Sequence, residues 1–402
     1  MSHRSDLAGA GPPLIASSRS KRFIGLFPEL IGTGGIQEAG RQTVRALSLI
    51  AHDRGWQLQI FSLNDPQGEH DLLFAGQPVR FRGFGRKKIR FVLAVMRQRL
   101  RLHGNHPCFV FVGHPNLAPV ASWIKGFSRS VKIVVMTHGI EVWNPLPLLK
   151  RVALAHANLI LAPSQHTEAK LAEVQRIQRK KIRKLAWPVN PNLLRMADTP
   201  ASLRLPSAFP RGRIILTVGR WSSSERYKGL DDLIEATAQL RHTFADLHLV
   251  VVGGGDDLPR LRKLATNAGT SEAVDFLERL PQEELAACYA NADVFALPST
   301  GEGFGLVFLE AMAFAQPIVA SACGGTMDVV IDGVNGLLIS PHDNASLIDS
   351  LGRLLRDDSL RATLGRNGAE MVRCKYRFEV FEDELTSILG EVSSLQSSYA
   401  DL

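Results

Sequence analysis

The stretch Phe295–Ser321, FALPSTGEGFGLVFLEAMAFAQPIVAS, constrains this chain more than any other. The apolar run Ala292–Pro298 has the length and composition of a short buried strand. A loop of Ser, Thr and Gly follows, and Gly305–Ala313 predicts a helix that is apolar on several faces. A glycine loop opening straight into a helix leaves unpaired N–H groups and the positive end of a dipole, which is a seat for phosphate. Two carboxylates flank that seat. Glu302 lies in the loop, and Glu310 falls on the face of Leu306, just over one turn into the helix. A carboxylate there can accept two hydrogen bonds from a vicinal diol such as a ribose, and Glu302 can reach a different hydroxylated group beside the same phosphates. Taken alone, the stretch also fits a solvated helix end with two surface acids, because glycine loops before helices are common.

The strand–loop–helix pattern recurs. Lys21–Pro28 predicts a strand, Gly32, Gly34 and Gly35 a turn, and Arg41, Val44, Leu47 and Leu49 mark a long helix. This is the opening of a nucleotide-binding α/β unit, though the glycines lack GxGxxG spacing and a simple tight turn explains them equally well. Strands over 107–113 and 131–136 run into His114 and His138. A histidine at the carboxyl end of a parallel strand points into the ligand crevice, although a lone histidine is more often structural. Ile214–Gly219 predicts a strand leading to Arg220, and Lys228 precedes the next helix. Two cations there suit a diphosphate, Arg as a fork and Lys as a point charge, with a solvated loop as the alternative. Asp275 lies 22 residues after Gly253, but without the glycine spacing Val274–Leu277 is better read as a strand.

At 402 residues the chain is too long for one core. Five prolines between Trp187 and Arg213, with no periodicity, mark a linker. The expected division is a tail over 1–20, a first domain over 21–199, a linker over 200–213, a second domain over 214–377 and a C-terminal helix over 378–402.

Glu302-Gly303-Phe304-Gly305-Leu306-Val307-Phe308-Leu309-Glu310 resembles the E-x7-E signature of the family-4 retaining glycosyltransferases. Three more places match in order. Gly34-Gly35 resembles the glycine pair that abuts the donor diphosphate and the acceptor, His138-Gly139-x-Glu141 the donor-site histidine, and Arg220 with Lys228 the pattern Gly-Arg, short gap, Lys-Gly. The gap here is toward the long side. The resemblance covers about Phe23 to Tyr376. It implies the GT-B fold, two Rossmann-like α/β domains with parallel sheets facing a central cleft and the C-terminal helix crossing back. It implies a retaining hexosyltransferase taking a nucleotide-sugar such as GDP-mannose, UDP-glucose or UDP-N-acetylglucosamine. The acceptor would be a glycan or polyprenyl-linked glycan in surface polysaccharide assembly. His138, Arg220, Lys228 and Glu302 would be catalytic. Gly34, Gly35, Phe304, Gly305, Leu306, Val307 and Glu310 would bind the donor. No cofactor is expected, and no metal, since no Asp-x-Asp stands in a metal-binding context. A non-catalytic sugar-nucleotide or phosphate binder is the alternative. An oxidoreductase ranks third because its fingerprint is missing.

Residues 1–200 hold 29 Lys and Arg against 11 Asp and Glu, while the rest holds 18 against 28. So uneven a split suggests domains facing different partners. Arg80–Arg101 carries nine cations and no acid, with helix-like spacing from about Lys88. It could lie on an anionic membrane or be a solvated basic helix; aromatics are not interleaved for nucleic acid. Arg176–Lys184 is a second basic cluster. No run of about 18 apolar residues exists for a membrane span, and no apolar signal region precedes Phe23. Four scattered cysteines without CxxC spacing fit a reducing cytosol. The expected location is cytoplasmic, with peripheral attachment to the membrane as an option.

Overall fold

The computed structural model describes residues 21–74, 76–100, 108–126, 128 and 130–394. The expected tail over 1–20, Arg101, the side chain of Arg99 and the end of the C-terminal helix beyond 394 lie outside them. The first domain runs β1 (Arg22–Phe27), α1 (Gly35–Asp53), β2 (Gln57–Ser62), β3 (Gly68–Phe74), β4 (Gln77–Gly83), α2 (Lys88–Leu100), β5 (Cys108–Val112), α3 (Ala118–Lys125), β6 (Val131–Met136), α4 (Leu148–His156), β7 (Leu159–Ala162), α5 (Gln165–Glu173) and β8 (Ile182–Lys184). Its sheet has the order β3-β4-β2-β1-β5-β6-β7-β8. All neighbours are parallel except the hairpin β3–β4. β5 is buried throughout and β6 nearly so, as strands covered on both faces must be. Right-handed crossovers place α1 on one face and α2–α5 on the other. Accordingly Val44 and Leu47 join Phe23 and Phe27 in one core, while Phe91 and Val95 join Ile24, Leu26 and Phe61 in the other.

The hairpin divides the basic run. Val79 and Phe81 turn inward while Arg80 and Arg82 turn outward, a period-two pattern. Arg80 pairs with Asp71 and Arg82 with Glu69 across the hairpin. Part of the second basic cluster is likewise the edge strand β8.

The proline-rich segment contains a helix, α6 (Pro191–Asp198). Pro191 sits in its first turn, where the missing N–H costs nothing, and the Asn190 side chain accepts from the Asn192 amide. The second domain follows as β9 (Arg213–Val218), α7 (Leu230–Leu240), β10 (Leu247–Val252), α8 (Leu258–Asn267), β11 (Val274–Leu277), α9 (Gln282–Ala290), β12 (Val294–Leu297), α10 (Leu306–Ala313), β13 (Ile318–Ser321), α11 (Thr326–Val329), β14 (Gly336–Ile339), α12 (Asn344–Arg356) and α13 (Asp358–Lys375). Its sheet is wholly parallel, in the order β11-β10-β9-β12-β13-β14. α14 (Phe378–Ser394) lies against the first domain, with the Arg45 guanidinium 3.9 Å from the Phe378 ring and Phe381 edge-on to Trp187.

Each sheet has a point where strand order reverses, β1 beside β5 and β9 beside β12, and ligands bind beyond the carboxyl ends of strands at such points. The loops leaving those ends meet across the cleft. Ser164 Oγ donates to the Gly303 carbonyl at 3.0 Å, and the Gln165 amide to Asp328 at 3.1 Å.

Candidate active site

Two helices that open into the cleft, one from each domain, start on a glycine. Gly34 (φ 133°) caps α1 and Gly305 (φ 86°) caps α10, and neither end has a side-chain cap. Ser164, Asp343 and Asp357 cap α5, α12 and α13, while α3, α4, α7, α8, α9 and α11 also start without a side-chain cap, so it is the place of the α1 and α10 ends at the cleft that matters. The uncapped ends leave amides and dipole charge for a ligand. They also converge: the position a Cβ would take at Gly35 is 3.7 Å from Leu306 Cδ1. The positive φ at Gly305 requires glycine, since a Cβ there would meet the Phe308 ring. Gly139 and Gly303 touch backbone to backbone, so the loop bearing His138 rests on the loop bearing Glu302.

Arg220 and Lys228 bracket a 3-10 segment, Ser223–Lys228, and a third residue joins them. Glu225 accepts from the Arg220 guanidinium and pairs with Lys228 Nζ at 2.9 Å. Lys228 Nζ also donates to the Arg220 carbonyl at 3.0 Å. Lys228 and Glu225 are mostly buried, at 13% and 12% side-chain exposure, whereas Arg220 reaches solvent at 68%. Burial opposes ionisation of Glu225, but the bonds from Arg220 and Lys228 outweigh it and hold its carboxyl below the usual value. The long gap between the two cations is therefore filled by their own counter-ion.

The two signature carboxylates occupy different surroundings. Burial raises Glu302, while the charge of Lys228 and hydrogen bonds from the Gly303 and Phe304 amides oppose the rise. Burial pushes Glu310 up to about 7 against the Tyr289 hydroxyl, which donates to it at 2.9 Å, and Glu38 of α1 adds repulsion across the cleft. Phe304 and Leu306 are buried and Val307 is half-buried, so their backbone rather than their side chains is what a ligand meets.

His138 stands at the carboxyl end of β6, its amide held by Glu141 at 2.6 Å. Its Nε2 donates to the Gly113 carbonyl at 2.8 Å, which leaves Nδ1 as the ring nitrogen available to a ligand. His114 stacks on it with centroids 5.6 Å apart. Burial, His138 and Lys150 hold His114 down at about 3, so it stays uncharged, and its Nδ1 accepts from the Asn116 amide.

The structure thus brings Gly34 and Gly35, His138, Arg220 and Lys228, and the 302–310 stretch to one cleft. Glu225, Tyr289 and Glu38 carry no sequence assignment, and the sequence marks His114 only as a histidine at a strand's carboxyl end. Glu225 has a local signal in the extra length between Arg220 and Lys228, whereas Tyr289 and Glu38 reach Glu310 only through the fold. Among the described residues no group of three or more His, Cys, Asp or Glu is placed to hold a metal ion.

Residues 206–371 match the glycosyl transferases group 1 and residues 40–193 match glycosyltransferase family 4. A D-inositol 3-phosphate glycosyltransferase from Corynebacterium jeikeium is 43% identical over 162 residues, 39% of this chain and 38% of that protein. The match thus spans about two fifths of that relative's length. A GDP-mannose-dependent alpha-(1-6)-phosphatidylinositol monomannoside mannosyltransferase from Mycolicibacterium smegmatis is 33% identical over 278 residues, 64% of this chain and 70% of that protein. Sucrose-phosphate synthase from Thermosynechococcus elongatus has the same fold, with a TM-score of 0.75 and 23% identity over 93% of this chain and all of that one. Two parallel-sheet domains, the matched segments in both and these relatives lead to one conclusion: the chain belongs to the group 1, family-4 glycosyltransferases and has the GT-B fold.

Proposed function

We propose that this protein transfers a hexosyl group from a nucleoside-diphosphate sugar to a hydroxyl of a glycan or polyol borne on an anionic or lipid carrier, with retention at the anomeric carbon and without a metal ion. The observation that carries the reading is the meeting of two uncapped helix N-termini, one from each domain, near Arg220 and Lys228. N–H groups of the first turn point from each such end, and two cations add full charge. Together they suit the charge that develops on a departing diphosphate.

Each residue then has a task. The amides of Gly305–Val307 cradle the phosphates, the Phe304 amide beside them being engaged by Glu302, with Arg220 as the exposed fork and Lys228 as the buried point charge. Glu310, ionised, accepts from the ribose diol. Glu302 orients the donor sugar, and His138 Nδ1 accepts from a sugar hydroxyl. Relatives named for inositol 3-phosphate and for a phosphatidylinositol mannoside favour an acceptor with a phosphorylated polyol, and surface-glycan assembly is the setting that fits.

A thermal-shift screen with GDP-mannose, UDP-glucose and UDP-N-acetylglucosamine tests this. One of them raises the melting temperature at concentrations that also give slow release of nucleoside diphosphate. Stabilisation without any release, with or without acceptor, would instead make the protein a binder.

A further inference from the structure

No Asp or Glu occurs between Asp71 and Glu141, and Glu141 is the only one before Glu168, while residues 72–167 contain fourteen Lys and Arg. That one carboxylate is committed to the His138 amide. The acid-free span builds α2, α3 and α4, which lie side by side on one face of the first sheet, with α3 packed against both neighbours.

Their outward surface is not that of an ordinary soluble helix layer. On α4 the buried side is Ala153 and Leu154, and the exposed side is Leu148, Leu149 and Val152, at 67%, 66% and 56% exposure. A surface helix normally turns its polar side to water, and here a ridge of apolar residues faces it. On α2, Ile89 and Leu93 are exposed at 78% and 53%, one turn apart, among Lys88, Arg90 and Arg97. Trp123 on α3 is half exposed between them. Arg80 and Arg82 have acidic partners in the hairpin, so among the described residues the cations of this run without an acidic partner begin at Arg86. α4 also starts on the cleft rim, where Lys150 Nζ donates to Asn116 Oδ1 beside His114.

We propose that the α2–α3–α4 face docks on an anionic lipid bilayer. The Leu148–Leu149–Val152 ridge and Trp123 enter the headgroup–acyl boundary, and the cations around Arg86–Arg90 lie among the phosphates. Apolar ridge and acid-free basic flanks on one face are what an interfacial surface needs, and neither alone suffices for firm binding. Docked this way, the rim where α4 starts lies beside the bilayer, so the inference rests on the proposed reading in that an acceptor on a lipid carrier would enter the cleft from the membrane side. The acidic second domain points to the competing occupant, a second copy of this chain.

Sedimentation with phosphatidylcholine vesicles, with and without phosphatidylglycerol, tests the inference. The wild type is expected to sediment with the anionic vesicles at low salt and to be largely released at high salt, and Trp123 emission to shift to the blue, a shift absent in Trp123→Phe. Leu148→Gln/Leu149→Gln/Val152→Gln should lower the bound fraction at least tenfold. Arg86→Ser/Lys87→Ser/Lys88→Ser/Arg90→Ser should abolish the dependence on phosphatidylglycerol. Both variants should keep the wild-type thermal shift with nucleotide-sugar, which shows them folded and separates this test from that of the donor site. Wild-type protein that stays in the supernatant, a ridge variant that binds as well as wild type, or concentration-dependent dimerisation lost in that variant while lipid binding persists would each overturn it. Vesicle binding by a protein that turns over no nucleotide-sugar would sink the proposed function and leave this inference standing.

Discussion

The two walls of the cleft are built on the same strand–loop–helix plan and do opposite things with charge. The second-domain wall concentrates it: Arg220, Glu225, Lys228 and Glu302 interact within one small volume, and Glu310 lies a turn into α10. The first-domain wall is sparse. It offers the Gly34–Gly35 turn, His138 with one ring nitrogen engaged, and His114 held uncharged. On the proposed reading, the difference teaches which wall would hold a ligand of fixed charge. A diphosphate and a ribose demand cations, amides and a carboxylate in fixed places, and only the second domain supplies all three. A wall of glycines, histidines and an apolar rim can instead suit acceptors of many shapes.

The comparison breaks first, if it breaks, at Arg220. Arg220→Ala is expected to lower kcat/KM for the nucleotide-sugar by about 10²–10³-fold, the range for losing one charge-stabilising donor. Lys150→Ala, on the rim of the other wall, should leave slow donor hydrolysis unchanged. Equal losses in the two variants would erase the distinction between the walls.

The paired carboxylates sharpen it. Glu302→Gln should lower turnover by on the order of 10²-fold while nucleoside diphosphate affinity stays near wild type. Glu310→Gln should weaken nucleoside diphosphate binding by about tenfold, the value of one charge-assisted hydrogen bond. Calorimetry with the diphosphate alone separates them, and matching affinities for the two variants would contradict the assigned roles.

Proton linkage gives a third handle. Glu310 titrates near 7 in the folded protein, so nucleotide affinity should fall about tenfold from pH 8 to pH 6 as the diol acceptor is protonated. For stability the sign is as follows. The folded value lies above the unfolded value of about 4.3, so Glu310 costs nothing below that pH and destabilises increasingly as pH rises toward 7. Glu310→Gln should therefore raise the melting temperature of the ligand-free protein at pH 8 and leave it unchanged at pH 4. A wild-type affinity flat across this range would place the titrating group elsewhere.

The smallest effect concerns Glu225. As counter-ion to both cations it would compete with the proposed diphosphate, so Glu225→Gln should tighten nucleoside diphosphate binding several-fold, about 1 kcal/mol, and steepen its salt dependence. Weaker binding would mean that Glu225 positions the cations more than it opposes the ligand.

The second domain's geometry was largely legible in the chain itself, because a glycine-opened helix ties residue types to short spacings. Gly305 as a cap and Glu310 one turn on follow from local rules, and so does the strand running into Arg220. What escaped is non-local. Tyr289 reaches Glu310 only because α9 and α10 pack on the same sheet, and Glu38 only because the two domains close on each other. β4 was hidden at the start of a run dominated by its cations, although the alternation of Val79 and Phe81 with Arg80 and Arg82 is a strand pattern. α6 was hidden by the prolines of its segment, one of which begins it. The apolar ridge of α4 could not be seen in sequence, since LLKRVALAH reads as a core helix until the fold shows which side is covered.

The most direct test of the central claim is release of nucleoside diphosphate from the preferred nucleotide-sugar, with a lipid-phosphate polyol acceptor, in the presence of excess chelator. If two helix ends, Arg220 and Lys228 neutralise the leaving diphosphate, the rate in chelator equals the rate in magnesium or manganese, and the product keeps the donor's anomeric configuration. Turnover that disappears in chelator and returns with either metal, or a product of inverted configuration, would contradict it.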